Sequence, residues 1–202
     1  MAEVLELSPT IIHTGPEWQM DDDQFFAFCA RNTDLRLERN SNLDIVIMSP
    51  EAGSSGGGNL RLSRRFDEWV ERDGSGRAFG SSTGFILPNR AVRSPDISWV
   101  RNERLRQLTK DEWEKFLPLC PDFVLELRSH SDRLTDLKIK MREYIDNGAR
   151  LGWLLDPFNK QVQIYRPDSE PETLNNPTVL SGESVLHGFT LNVPEIWQAT
   201  QR

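Results

Sequence analysis

The stretch that most restricts the fold of this chain runs from Pro121 to Pro157, PDFVLELRSHSDRLTDLKIKMREYIDNGARLGWLLDP. It reads as strand, turn, helix, strand. Asp122 to Leu127 is a short apolar run suited to a buried strand. Alternation puts Phe123, Leu125 and Leu127 on one face, with Glu126 and Arg128 on the other. A carboxylate in so apolar a strand is costly to bury unless a cation or metal meets it. Ser129, Ser131 and Asp132 offer N-caps for a helix that Gly148 stops. Leu134, Leu137, Met141, Tyr144 and Ile145 form its apolar stripe, with Lys138 and Lys140 on opposite flanks. Leu151 to Asp156 is the next apolar strand, and the short Gly loop before it favours a parallel crossover.

A chain of 202 residues fits one α/β domain with elaborations. Residues 1–19 read as an N-terminal arm and 20–202 as a single domain. Its core spans about 35–168, and 169–202 is a C-terminal elaboration. Six Trp and 37% hydrophobic residues are enough for a core. No run approaches the ~18 apolar residues of a membrane span, and MAEVLELSPT lacks a signal-type core. Cys29 and Cys120 have no metal or redox spacing and suggest reduced thiols, so a cytoplasmic location is expected. The net charge of −7 argues against a generic nucleic-acid coat protein. It is uneven: Leu60 to Arg106 carries ten Arg and no Lys against six acids, or +4, leaving −11 elsewhere. Such a basic middle is compatible with phosphate recognition by one face, or with a solvated helix surface.

Along the chain, Asp21 to Asp23 caps a short helix carrying Phe25, Phe28 and Cys29. Leu35–Arg39 and Asp44–Met48, separated by Asn40-Ser41-Asn42, read as a hairpin. The Gly/Ser-rich segment Glu51–Asn59 reads as a loop, mobile or in close backbone contact, without the Lys-Ser/Thr ending of a phosphate-cradling loop. Leu62, Phe66, Trp69 and Val70 predict a helix from about Asn59 to Arg72, with Arg61, Arg64 and Arg65 off its stripe. Strands are predicted near Ala78-Phe79, Phe85–Leu87, Pro95–Val100 and Gln161–Tyr165, and a short helix contains Trp113 and Phe116. The Pro-, Asn- and Gly-rich tail predicts short edge strands such as Phe189–Val193.

Asp96 and Glu126 lie on two predicted strands. If these are neighbours, two hard carboxylates could bind Mg²⁺ or Mn²⁺, and a nearby Lys could orient water or stabilise a phosphate. The same residues also have an ordinary reading: Asp96 ends a strand, Glu126 pairs with Arg128, and Asp136 pairs with Lys140. Gly80-Ser-Ser-Thr-Gly84 satisfies G-x-S-x-G, but a strand follows Ser82 where a nucleophile elbow needs a helix, so a tight turn suffices. His13, His130 and His187 are too scattered for a zinc site.

RLER (36–39), MSP (48–50), STGFILPN (82–89), SPDISWV (94–100), PDFVLELRSHSDRL (121–134), KIKMREYIDNG (138–148) and GWLLDP (152–157) together resemble the bacterial putative restriction endonuclease family of the PD-(D/E)xK nuclease superfamily. The resemblance covers about residues 20–170. It implies a restriction-endonuclease-like core, a central mixed β-sheet flanked by α-helices with extra β-hairpins. It also implies a Mg²⁺- or Mn²⁺-dependent endonuclease acting on DNA, with Asp96 and Glu126 as metal ligands. The superfamily lysine normally stands two residues after the second acid, where this chain has Arg128, a catalytic candidate whose charge can stabilise phosphate though it is a poor proton acceptor. The resemblance moves the lysine's role to Lys140 and gives Glu38 as the early glutamate. Arg61, Arg64 and Arg65 are the expected backbone contacts, and a homodimer is left open. The alternative is a catalytically degenerate module of the same fold that binds nucleic acid or a protein.

Overall fold

The computed structural model describes residues 9–201. In chain order the elements are β1 (Thr10–Ile12), a 3₁₀ turn at Pro16–Trp18, α1 (Asp22–Arg31), β2 (Arg36–Arg39), β3 (Ile45–Met48), α2 (Gly53–Asp73), β4 (Gly76–Gly80), β5 (Phe85–Ile86) and β6 (Val92–Arg93). They continue with β7 (Ile97–Arg101), α3 (Asn102–Leu105), α4 (Lys110–Trp113), β8 (Phe123–Leu127), α5 (Leu134–Asp146), β9 (Leu151–Asp156), β10 (Gln161–Tyr165), β11 (Glu172–Asn175), β12 (Val179–Ser181), β13 (Thr190–Asn192) and α6 (Val193–Ala199). Three sheets result, ordered β11-β10-β9-β8-β7-β4, β1-β3-β2-β6-β5 and β12-β13. In the six-stranded sheet only β8 and β9 pair in parallel, joined through α5 as the sequence predicts. The central sheet is therefore mixed, with helices on its faces.

Alternation along β8 sorts the core into two layers. Phe123, Leu125 and Leu127 pack with Leu62, Phe66 and Trp69 of α2, while Val124 packs with Leu137, Met141 and Tyr144 of α5. Each such side chain contributes about 1.5–3 kcal/mol when fully buried. Glu126 alternates onto the α5 side. Its charged group therefore meets the flank of α5, not the apolar layer beneath α2.

Three local expectations are corrected. The segment read as a Gly/Ser loop up to Asn59 is the first turns of α2, which begins at Gly53. Glycine disfavours a helix by about 1 kcal/mol per residue, and packing overrides it here. A Cβ on Gly58 would stand 2.6 Å from Leu127 Cδ2 and 2.7 Å from Thr200 Cγ2. Only a bare backbone lets α2 approach β8 and the end of α6 so closely. Secondly, α5 is preceded by Arg133, which makes no side-chain cap. Asp132 instead closes its own loop, accepting from Ser129 N at 2.7 Å and Ser129 Oγ at 2.6 Å. Thirdly, the tail is more than edge strands. It ends in α6, and Phe189, Val193, Ile196 and Trp197 are buried in the layer beneath α2.

Other expectations hold. Asp21 and Gln24 form a capping box at α1, and β2 and β3 form the hairpin around Asn40 to Asp44. Ser82 lies in the turn between β4 and β5, with no helix after it. Cys29 and Cys120 are free thiols. Residues 1–8 of the N-terminal arm lie outside the described residues, while Thr10–Ile12 joins the smaller sheet beside β3. No helix among the described residues is long and apolar enough to cross a membrane.

Candidate active site

The register of β7 on β8 assembles the two acids. Ile97 stands opposite Leu125 in an antiparallel pair, which sets Asp96 beside Glu126. Asp96 Oδ2 accepts from Leu127 N at 2.8 Å, fixing the carboxylate at the end of the ladder. From the facing helix, Lys140 Nζ donates to Glu126 Oε1 at 3.0 Å and to Glu38 Oε1 at 2.9 Å. Tyr144, one turn further on, donates to Glu126 Oε1 at 3.0 Å. Glu38 comes from β2 in the five-stranded sheet, so Lys140 ties that sheet to the six-stranded one. The pairing of β2 with β6 brings in Arg93 and Ser94. Ser94 N donates to Glu38 Oε1 at 2.9 Å and Arg93 Nη1 to Glu38 Oε2 at 3.1 Å.

Glu38 and Glu126 are only 3% and 5% exposed. Both line, with Asp96, Lys140 and Arg93, a cavity of about 370 Å³ between the five-stranded sheet and the start of α5. Burial pushes the Glu38 carboxyl up, but Lys140 and Arg93 outweigh it and hold it down at about 2. Asp96 makes no ion pair of its own among the described residues, and the Lys140 charge only partly offsets its burial. Burial, then the neighbouring Glu126 charge, pushes it up to about 8. Burial also raises Glu126, and Lys140 opposes that shift. Burial lowers Lys140, yet the Glu126 and Glu38 charges more than reverse this and leave it raised. The site thus holds more negative charge than its own cations satisfy.

That surplus fits a hard divalent cation. Glu126 Oε1 is taken by Lys140 and Tyr144, but Oε2 has no protein partner among the described residues. Asp96 Oδ1 receives only a long bond of 3.3 Å from Asn59. Among the described residues no group of three or more His, Cys, Asp and Glu is arranged to hold an ion. Two carboxylates nevertheless suffice for Mg²⁺, which keeps several waters and takes the rest of its coordination from substrate phosphate. Asp96 and Glu126 are the residues that would hold it.

Lys138 is exposed on the far flank of α5. Asp136 makes no ion pair with Lys140, whose partners are Glu38 and Glu126. Nor does Arg128 pair with Glu126. It lies beyond the last residue of β8, binds Asp156 Oδ2 at 3.0 Å and sits over the Phe158 ring, outside the cavity lining. Arg61, Arg64 and Arg65 do not line the cavity either. Arg64 and Arg65 bond Glu68, and Arg65 also bonds Glu195 of α6, whereas Arg61 is exposed without a partner among the described residues. His130 packs against Phe158, and His13 bonds Asp44 at 3.2 Å.

The sequence reading missed Arg93 and Asn59 as site residues and took Tyr144 for core alone. Asn59 Nδ2 bridges Asp96 to Glu51, which is itself held by Arg36 at 3.2 Å. Tyr144 stands four residues after Lys140, and the helix period puts both on one side of α5; what the sequence does not show is the hydroxyl's bond to Glu126. Arg93 has no comparable signal, because its place depends on the β2–β6 pairing of distant segments.

The fold and this site define a nuclease-like α/β protein. Residues 22–194 match the model of the Uma2 family, described as putative restriction endonuclease, and the chain belongs to that family. A solved structure described as a putative nuclease belonging to DUF820 from Anabaena variabilis is similar, with TM-score 0.74 and 19% identity over 90% of this chain and 99% of that one. At that identity the likeness establishes the fold. No curated protein matches the chain.

Proposed function

We propose that this protein is an endonuclease that hydrolyses DNA phosphodiester bonds with Mg²⁺ or Mn²⁺. One observation carries the reading: neighbouring carboxylates of Asp96 and Glu126 face a cavity, and Lys140 stands 3.0 Å from Glu126. A divalent ion held there supplies Lewis-acid stabilisation of the phosphate and a more acidic bound water. Lys140 donates hydrogen bonds that orient a phosphate oxygen or the attacking water. Glu38 fixes the lysine from the opposite side, and Tyr144 fixes Glu126. Arg128 has a structural part in this scheme, clamping the end of β8 to Asp156. Of Arg61, Arg64 and Arg65, Arg61 is the one free to meet a DNA backbone phosphate, since Arg64 and Arg65 already have acidic partners. The protein acts in the cytoplasm, consistent with two free cysteines.

The test is cleavage of plasmid and single-stranded DNA by the purified protein with Mg²⁺, with Mn²⁺ and with chelator. Cleavage that requires a divalent ion supports the reading. A wild type that cuts nothing under any of these conditions contradicts it and puts the binding module ahead.

A further inference from the structure

Arg93 lines the cavity with its hydrogen bonding complete on two sides and open on one. Its side chain is 13% exposed. Nε donates to Glu143 Oε2 at 2.7 Å and Nη1 to Glu38 Oε2 at 3.1 Å. Nη2 has no partner among the described residues, and it is not sealed from solvent. Arg39, on the strand paired with that of Arg93, shows the contrast. It is 0% exposed and saturated, bonding the carbonyls of Met20, Asp21 and Arg90 and the carboxylate of Asp22 with every guanidinium nitrogen. Arg39 is a tie within the fold. Arg93 is built the same way on two sides and left open on the third.

We infer that Arg93 is a further substrate-binding residue, its Nη2 donating to a non-bridging oxygen of the phosphate that Lys140 also contacts. Glu38 holds the two cations side by side, Arg93 on Oε2 and Lys140 on Oε1. A phosphodiester has two non-bridging oxygens, so adjacent donors can each take one. The plane of the guanidinium is already set by Glu38 and Glu143, so little side-chain entropy is lost when it binds. Charge-assisted bonds from Arg to phosphate are among the stronger hydrogen bonds.

This inference rests on the nuclease reading, and its test separates the two. Arg93→Lys keeps a cation between Glu38 and Glu143 but removes the planar fork. Binding of inorganic phosphate and of a short single-stranded oligonucleotide, both with Ca²⁺, is measured alongside kcat and KM for Mg²⁺-dependent cleavage. The expected result is binding of both probes weakened ~10-fold or more, with KM raised and the melting temperature near that of the wild type. Unchanged binding of both probes, or no phosphate binding by the wild type, overturns the inference and leaves Arg93 as a charge between two acids. If Arg93→Lys does not fold, Arg93→Gln with Glu143→Gln removes the stranded acid as well, and the same loss of binding is required of it. If the wild type cuts no DNA, the nuclease reading fails while the phosphate titration still decides Arg93.

Discussion

Strand β8 carries a buried carboxylate near each end, and the two are treated differently. Asp122, just before the strand and 1% exposed, is answered on both oxygens. Oδ1 accepts from Arg101 Nε and Nη2 at 2.9 and 2.7 Å, and Oδ2 accepts from Arg101 N at 3.1 Å with Arg104 at 3.2 Å. Glu126, at the other end, shares its one nearby cation with Glu38 and stands beside a second acid, Asp96. Two arginines serve one acid at the first end, whereas at the second Lys140 and Arg93 are divided among Glu38, Glu126 and Glu143, and Asp96 has no ion pair of its own among the described residues. Folding alone would favour the first arrangement everywhere, since an unpaired buried charge costs several kcal/mol. The second arrangement makes sense as a place kept for a cation and a phosphate from outside.

The sharpest way to break this comparison is to neutralise both acids in turn. Glu126→Gln should remove divalent-dependent cleavage by ~100-fold or more while the melting temperature is kept or raised. Asp122→Asn should do the reverse, costing about 1–3 kcal/mol in denaturant melts because two partly exposed guanidinium groups lose their charge-assisted hydrogen bonds. If Glu126→Gln proves the more destabilising of the two, the contrast between the ends disappears.

The lysines come next. Lys140→Met should lower Mg²⁺-dependent cleavage by ~100-fold, the scale of a lost acid–base or electrostatic group. Lys138→Met, on the exposed flank, should change it little. Cleavage assays with circular dichroism as the folding check decide it, and a dead Lys138→Met would refute the assignment of flanks.

A smaller effect should appear in stability against pH. The folded state keeps a proton on Asp96 up to about pH 8, which the unfolded chain has already lost near 4. Stability of the metal-free protein should therefore fall as pH rises from 5 to 8. Glu126, also raised by burial, adds to the same fall, whereas Glu38, held at about 2 when folded, does not titrate in that window. Asp96→Asn should flatten the profile and raise the melting temperature at pH 8, by about 2–4 °C for each kcal/mol relieved. A wild type whose stability climbs steadily to pH 8 would show that Asp96 is not strained.

How far the site could be read from sequence follows from which contacts set each residue. Glu126 sits on a short strand and Asp96 immediately before another, both with apolar runs that announce themselves, and the helix period places Lys140 apart from Lys138. Those are local signals, strengthened by the motif resemblance. The glycine run at 53–58 was illegible as helix because what it allows is tertiary, the close approach of Gly58 to Leu127 and Thr200, which outweighs helix propensity. The tail was misjudged for a similar reason: Trp197 and Ile196 belong to a core made by residues far earlier in the chain. Arg93 required the pairing of two strands separated by α2.

The least effect concerns the basic segment. Replacing Arg61, Arg64 and Arg65 together by Gln should reduce the salt slope of DNA binding by only ~1, the share of a single phosphate contact, because two of the three already have acidic partners. A drop near three would mean that those pairs open on DNA, and no change would leave the helix surface without a part in binding.

Calorimetric titration of Mn²⁺ into the wild type, Glu126→Gln and Asp96→Asn addresses the acid surplus itself, without reference to any substrate. The account predicts that the wild type binds the ion and that either neutral variant, still folded, loses that binding. Equal Mn²⁺ affinity in all three proteins would contradict it.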